Sequence, residues 1–208
     1  MPHHKFIKMS NIITINKEYI IREIDKKELL PAIEFVVRMN YTHHQCPINE
    51  GQLKETIEDI YLQESKIFDH SYFYKVVNHN NQTIGTLRIA DWDKSAALPW
   101  TINLQTKDIN KIYHIGRFAV SQSKENNPLG GKNIFKQLVL IAFSYVCENS
   151  RNILIAECDV KLFRTLRKLG IELVQIGNTE FCLGSETVCV YATFETIHKF
   201  YNRYKNTN

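Results

Sequence analysis

A mixed α/β domain, with one central sheet flanked by helices, is the fold class this sequence predicts, and three observations predict it. Apolar residues recur at period two through "SYFYKVV" and "TIGTLRIAD", with the Asn-rich "NHNNQ" between them, which is the pattern of an antiparallel hairpin. Further on, "IYHIGRFAV", a helical stretch, "NILIAEC" and a second helical stretch succeed one another, and strand, helix, strand, helix implies a local parallel pair. No repeat, low-complexity tract or linker interrupts the 208 residues. One domain over residues 1–208 is therefore expected, with residues 1–17 a poorly ordered or peripheral N-terminal segment.

The elements follow in order. "EYIIREI" (Glu18 to Ile24) is a short strand. From Asp25 to Met39, Leu29, Ile33, Val36 and Val37 share one helical face, and Pro31 lies early enough to be tolerated. The polar "NYTHHQCPINEG" breaks the pattern before a second helix, Gln52 to Gln63, built on Leu53, Ile57, Ile60 and Tyr61. After the hairpin, the irregular "WDKSAALPWTINLQTKDIN", with Pro99 and two tryptophans, suits a loop that overhangs a site. The strand "IYHIGRFAV" and the polar "SQSKENNPLGGK" lead to a helix from Asn133 to Cys147, its inner stripe formed by Ile134, Leu138, Ile141 and Tyr145. "NILIAEC" is a near-continuous apolar strand, and "VKLFRTLRKLG" is a short helix closed by Gly170 just past its C-cap. Strands "IELVQIG" and "TVCVYATF" and a terminal helix "ETIHKFYNRYK" complete the chain.

Composition narrows the function classes. Hydrophobic residues at 44% and charged residues at 23% argue against wholesale disorder. A formal charge of +4 suits an acidic partner or a phosphate-bearing cofactor and is too small to argue for nucleic acid. The five cysteines are odd in number, scattered, and mostly inside apolar runs, as expected of reduced core residues in a cytoplasmic protein. No apolar run approaches the roughly 18 residues of a spanning helix, so no membrane insertion is expected.

The chemistry concentrates on "YHIGRFAV". Strict alternation would put His114, Gly116, Phe118 and Val120 on one face and Tyr113, Ile115, Arg117 and Ala119 on the other, with the polar pair pointing both ways. A buried guanidinium needs a partner, so Arg117 either meets a carboxylate or carbonyl or marks a solvent-filled cavity. Gly116 within a strand suggests a bulge or a close approach. The loop "NNPLGGKN" enters a helix directly; its adjacent glycines and Lys132 form either an anion cradle or a plain turn, and it is neither a Walker loop nor a dinucleotide fingerprint. His43, His44 and Cys46 of "HHQC" lack a second ligand cluster, so no metal site is expected. Lys161, Arg164, Arg167 and Lys168 form a basic helix face, either solvated or open to an acidic partner.

The order of elements resembles the GNAT superfamily of N-acyltransferases over nearly the whole chain. "GRFAV" after a polar residue is similar to the Glu-x-Ser-Arg-Phe core of acyl-homoserine-lactone (autoinducer) synthases and N-acyl amino acid synthases. Gly85-Thr86-Leu87-Arg88-Ile89 is similar to their Gly-x-x-Arg-apolar strand, and "LGIELVQIGNTEFCLGSETVCVYATFE" has the layout of their C-terminal strands. The acidic residue of that core falls on His114 and its serine on Gly116. Asn127 and Lys132 stand where the superfamily's pyrophosphate loop usually carries Arg or Gln and Gly or Ala. Leu166 replaces the tyrosine that many acetyltransferases use as general acid, which implies another proton donor or none.

The resemblance implies splayed central strands, opened by Gly116, around a slot for a pantetheine arm. Acyl-CoA or acyl-phosphopantetheine on acyl carrier protein would be the co-substrate, without a metal. Backbone N–H groups of Phe118, Ala119 and Val120 would hold the arm and polarise the thioester, and Gly130, Gly131, Lys132 and Asn133 would meet the phosphates. His114 would be the base, with Glu157 acting through water as the alternative, while Arg117 and Arg88 would orient the acceptor's carboxylate or the core of the site. Trp92 and Trp100 would either roof an acyl or acceptor pocket or merely pack a loop, and the basic helix, if not simply solvated, would receive the carrier protein. The implied function is N-acyl transfer to an amino acid or similar amine. The alternatives are an acetyl-CoA-dependent N-acetyltransferase of small molecules and a non-catalytic ligand sensor on the same scaffold.

Overall fold

Residues 12–15, 18–92, 109–122 and 131–206 are described by the structure, a computed structural model. The strands are β1 (Ile12–Ile15), β2 (Tyr19–Glu23), β3 (Ser71–Asn78), β4 (Thr83–Asp91), β5 (Ile112–Val120), β6 (Ile153–Asp159), β7 (Val174–Cys182) and β8 (Ser185–Thr193). They join in one sheet of order β1-β2-β3-β4-β5-β6-β8-β7. Every neighbouring pair is antiparallel except β5 and β6, which are parallel because the helix between them returns the chain to the same end of the sheet. Of the N-terminal segment, only Ile12–Ile15 falls within the described residues ahead of position 18, as the edge strand paired with β2.

The helices are α1 (Leu29–His44), α2 (Glu50–Ile67), α3 (Gly131–Val146), α4 (Val160–Lys168) and α5 (Phe194–Tyr204). They cover both faces of the sheet. On one face α3 and α5 pack Ile134, Leu138, Phe143, Val146 and Ile197 against Tyr74, Leu87, Ile115 and Leu154. On the other, α1 and α2 pack Leu29, Ile33, Val37, Leu53, Ile57 and Ile60 with Phe73. A smaller cluster of Ile112, Ile153 and Ile155 with Trp92 and Tyr191 lies at one end of β5.

Three boundaries differ from the sequence expectation. Helix α1 continues to His44 and stops only where Gln45 turns left-handed at φ 52°, its N–H closing on Thr42; Tyr41 still packs against the core, while Thr42 and His43 are exposed. Helix α2 starts earlier, capped by the Asn49 side chain on the Gln52 N–H, and runs on to Ile67. Strand β7 lies later than "IELVQIG", because Ile171 and Leu173 are buried in the core before the strand begins. Its own residues are nearly all exposed, which leaves no apolar alternation to mark it.

The β7–β8 hairpin turns at Leu183 and Gly184, with φ 48° and 83°. A Cβ on Gly184 would fall 2.9 Å from Cys46 Cβ, so the tip of the hairpin sits directly on the end of α1. All five cysteines are free thiols. Among the described residues no helix is long and apolar enough to cross a membrane.

Gly184→Ala combines left-handed backbone strain with that collision, so it is expected to lower the unfolding free energy by about 1–3 kcal/mol. Urea unfolding at unchanged slope is the measurement.

Candidate active site

From Thr86 to Arg88 strand β4 advances two residues while β5, from Ala119 back to Gly116, takes three. The extra residue is a bulge, with Arg117 in the left-handed region at φ 50° and its carbonyl accepting a 2.9 Å hydrogen bond from Thr86 Oγ1. Alternation is therefore broken at the centre of β5. Arg117 faces α2, where its Nε donates to Glu64, while Phe118 turns to the α3 side, its ring 5.3 Å from that of Phe135. His114, Gly116 and Arg117 thus share one face, and the expectation that the polar pair points both ways is corrected.

On that face lies a charged cluster. Glu64 of α2 is 3% exposed and Arg88 of β4 is 2% exposed. One carboxylate oxygen of Glu64 accepts from Arg117 Nε at 2.6 Å, and the other lies 3.2 Å from Arg88 Nε in an ion pair. The end of the Arg88 guanidinium donates to the His114 carbonyl at 3.2 Å and sits 3.4 Å from His114 Nδ1. A Cβ at Gly116 would fall 2.7 Å from Arg88 Nη2, so glycine here makes room for the guanidinium. Arg88 is a buried strut between strands and helix, which fits the expected role in the core of the site and not contact with an acceptor's carboxylate.

His114 is also recast. Burial first, then the neighbouring Arg88 and Arg117, hold its pKa well below the usual 6.5, so it is neutral at pH 7. Its Nε2 is buried without a hydrogen-bond partner and lies 4.0 Å from Glu157 Oε2. The residue expected to be the base is thus a buried, neutral imidazole. Glu157 on β6 is the exposed member of the pair, its side chain 34% accessible.

Strands β5 and β6 pair only from Ile112↔Ile153 to Ile115↔Ala156. Beyond that point they part. Ser121 N–H bonds the Ile84 carbonyl on β4. Successive amides of a strand point to opposite edges, so the Val120 N–H points into the gap on the β6 side, while Ala119, paired with Thr86, faces β4. Three cavities lie about this gap, with Phe135 in the wall of each. A small apolar one of about 70 Å³ lies between Gly116, Phe118, Phe143, Ala156, Glu157 and Leu166. A groove of about 900 Å³ runs from Val120 past Gly131 and Lys132 to Phe200 and Tyr204. A third, about 360 Å³, lies between His43 and His44 of α1, Asp159 at the end of β6 and Lys161 of α4.

The remaining sequence candidates divide. Gly131 and Lys132 line the groove; Asn133, in the same turn, is half-buried and lines none of these cavities. Trp92 packs with Ile112, Ile155 and Tyr191, its indole N–H buried without a partner. Trp100 and Gly130 lie outside the described residues. Lys161, Arg164, Arg167 and Lys168 are exposed, Arg167 lying over the Phe163 ring. Among the described residues no group of His, Cys, Asp or Glu could hold a metal.

Sequence reasoning missed Glu64. The signal was present: the apolar stripe Leu53, Ile57, Ile60 continues by one helical step to position 64, the inward face of α2. A carboxylate at that step implied a buried cation opposite.

No family model and no curated protein matches the chain by sequence. Solved structures do. FeeM, an N-acyl amino acid synthase from uncultured soil microbes, matches at 12% identity and TM-score 0.59, over 91% of this chain and 98% of that one. TofI, in a ternary complex with an inhibitor and MTA, matches at 11% identity and TM-score 0.55, over 87% and 96%. FdhC, a nucleotide-linked sugar GNAT, matches at 12% identity and TM-score 0.52, over 93% and 98%. The chain has the GNAT acyltransferase fold.

Two outcomes follow from the cluster. Glu64→Gln leaves two confined guanidinium groups without their shared carboxylate and is expected to lower stability by about 3–5 kcal/mol in urea unfolding. His114 has its pKa lowered in the folded state, so below about 6.5 the unfolded chain takes up a proton that the folded chain resists. Its contribution is fully present above that pH and is lost as the pH falls toward the folded pKa. Between pH 7.5 and 5.5 the wild type should lose more stability than His114→Gln, measured as the difference between their unfolding curves.

Proposed function

We propose that the chain is an N-acyltransferase that moves an acyl group from a thioester on a phosphopantetheine arm to the amine of an amino acid or similar small molecule. The observation that carries this reading is the gap where β5 and β6 part, with an outward Val120 N–H, an apolar cavity and Glu157 at its edge. The thioester lies in that gap, its carbonyl polarised by the strand amides. The acceptor approaches from the face that carries His114, Glu157 and Arg117.

Glu157 takes the first proton from the acceptor's ammonium, and the neutral nitrogen attacks the thioester carbonyl. The C–S bond breaks with its electron pair on sulfur, and the second nitrogen proton, lost as the amide forms, balances the one the thiolate takes up. Leu166 at the cavity wall has no proton to give. His114 is a neutral positioning residue beside Glu157, and Arg117, steadied at Nε by Glu64, is the cation for the acceptor's carboxylate.

A second reading, an acetyl-CoA-dependent N-acetyltransferase of small molecules, is favoured by the size of the apolar cavity. About 70 Å³ suits a short acyl group better than a long chain, which would have to continue into the larger groove. Free-thiol release from acetyl-, octanoyl- and palmitoyl-thioesters with a panel of amino acids separates these readings from each other and from a non-catalytic sensor. Glu157→Gln should lower kcat/KM by about 10²- to 10⁴-fold. Thiol release that is absent with every donor, or undiminished in Glu157→Gln, overturns the mechanism.

A further inference from the structure

Arg88 does more to His114 than a charge lock requires. Its Nε end lies 3.2 Å from the Glu64 carboxylate, and its far end spans two atoms of one residue. Nη1 donates to the His114 carbonyl at 3.2 Å, while Nη1 and Nη2 both lie 3.4 Å from the ring Nδ1. Gly116 leaves the guanidinium room for this, since a Cβ there would stand 2.7 Å from Nη2. A guanidinium carries N–H donors and no acceptor. Nδ1 is therefore the accepting nitrogen of the ring; a proton on it would face two further N–H groups.

The neutral imidazole has one ring proton, and the bond made by one nitrogen decides that the other carries it. Here it sits on Nε2. That atom is buried without a hydrogen-bond partner and lies 4.0 Å from Glu157 Oε2. The register explains the approach: His114 is opposite Ile155 on β6, and Glu157, two residues on, shares that face of the sheet. A separation of 4.0 Å is too long for a hydrogen bond, and a buried N–H left unpaired carries a cost. Catalytic hydrogen bonds are often long in a free enzyme and tighten as the site fills.

We propose that Glu64 and Arg88 are positioning residues that act through His114: they fix it as the Nε2–H tautomer, and this N–H closes on the Glu157 carboxylate as the site fills, aiming the base at the incoming amine. His114 then gives a hydrogen bond and takes no proton. The use made of Glu157 rests on the acyl-transfer reading above; the tautomer does not.

Nitrogen-15 spectra of the full chain labelled at histidine test the tautomer, with the His114 signals identified by their absence from His114→Gln. At neutral pH Nε2 should be protonated and Nδ1 bare. Arg88→Lys, whose ammonium is a point charge unable to span ring and carbonyl, should show both tautomers. An Nδ1–H tautomer in the wild type overturns the proposal, and that measurement requires no variant to fold.

Kinetics test the donor role. His114→Met removes the N–H and should lower kcat/KM by about 10- to 100-fold, the scale of one charge-assisted hydrogen bond. His114→Gln offers an oxygen to Arg88 and an N–H to Glu157, and should recover most of that loss. In a Glu157→Gln background, His114→Met should cost less than about threefold more, because the two residues act as a unit. Equal losses in His114→Met and His114→Gln, or full additivity with Glu157→Gln, overturn the donor role while leaving acyl transfer intact. Thiol release absent with every donor overturns the acyl-transfer reading and the role given to the His114–Glu157 pair, while an Nε2–H signal in the same sample still upholds the tautomer lock.

Discussion

One carboxylate holds the centre of this molecule together. Glu64, carried on α2, reaches Arg117 on β5 with one oxygen and Arg88 on β4 with the other. Removing a guanidinium from water carries a large desolvation cost, and two so close would also repel; only a buried anion between them offsets both effects. The triad therefore acts as a positional lock more than as a net source of stability. It ties the helical layer of α1 and α2 to the two central strands, and it requires Gly116 because the Arg88 guanidinium occupies the space of a side chain. It also sets the state of His114, which lies against two fixed cations in a buried site and stays neutral.

The second constraint is the extra residue in β5. Without it, Arg117 would point into the apolar layer under α3, where the cluster has no carboxylate to offer, and Phe118 would face the charges. With it, the strand presents polar groups to α2 and apolar groups to α3 on either side of the bulge. The left-handed backbone at Arg117 costs about 1–3 kcal/mol, and the ion pair and the Thr86 hydrogen bond hold it in place. The same segment is where β5 loses its pairing with β6, so the bulge and the gap adjoin. Glu157 stands on β6 just beyond the last paired residues, at the border between the charged face and the apolar cavity.

This arrangement separates two environments across one strand. The cavity side is lined by phenylalanine, leucine and valine and offers strand amides, a setting in which, under the proposed function, a developing oxyanion would gain most from aligned donors. The other side is charged but locked, since Arg88 and His114 are committed to the lock and Glu157 is the group with access to solvent. The proposed proton transfer therefore falls to a residue at the edge of the cluster, while its centre holds geometry.

The sequence by itself determined the secondary elements and the strand that carries the site. Period-two runs, the Asn-rich turn, the strand–helix–strand succession and the Gly170 stop all rest on local rules that the structure follows. It also indicated that Arg117 needed a partner and that Gly116 marked a bulge or close contact, because a buried charge and a strand glycine each carry a cost wherever they fall. What only the tertiary structure decided is which groups meet. Glu64, Arg88, His114 and Glu157 come from α2, β4, β5 and β6, and no local pattern encodes their distances. A single inserted residue reverses the facing of half a strand, and burial moves a histidine out of the neutral titration range. Both effects arise from packing between segments far apart in sequence, so they are written in the fold and not in any stretch of the chain.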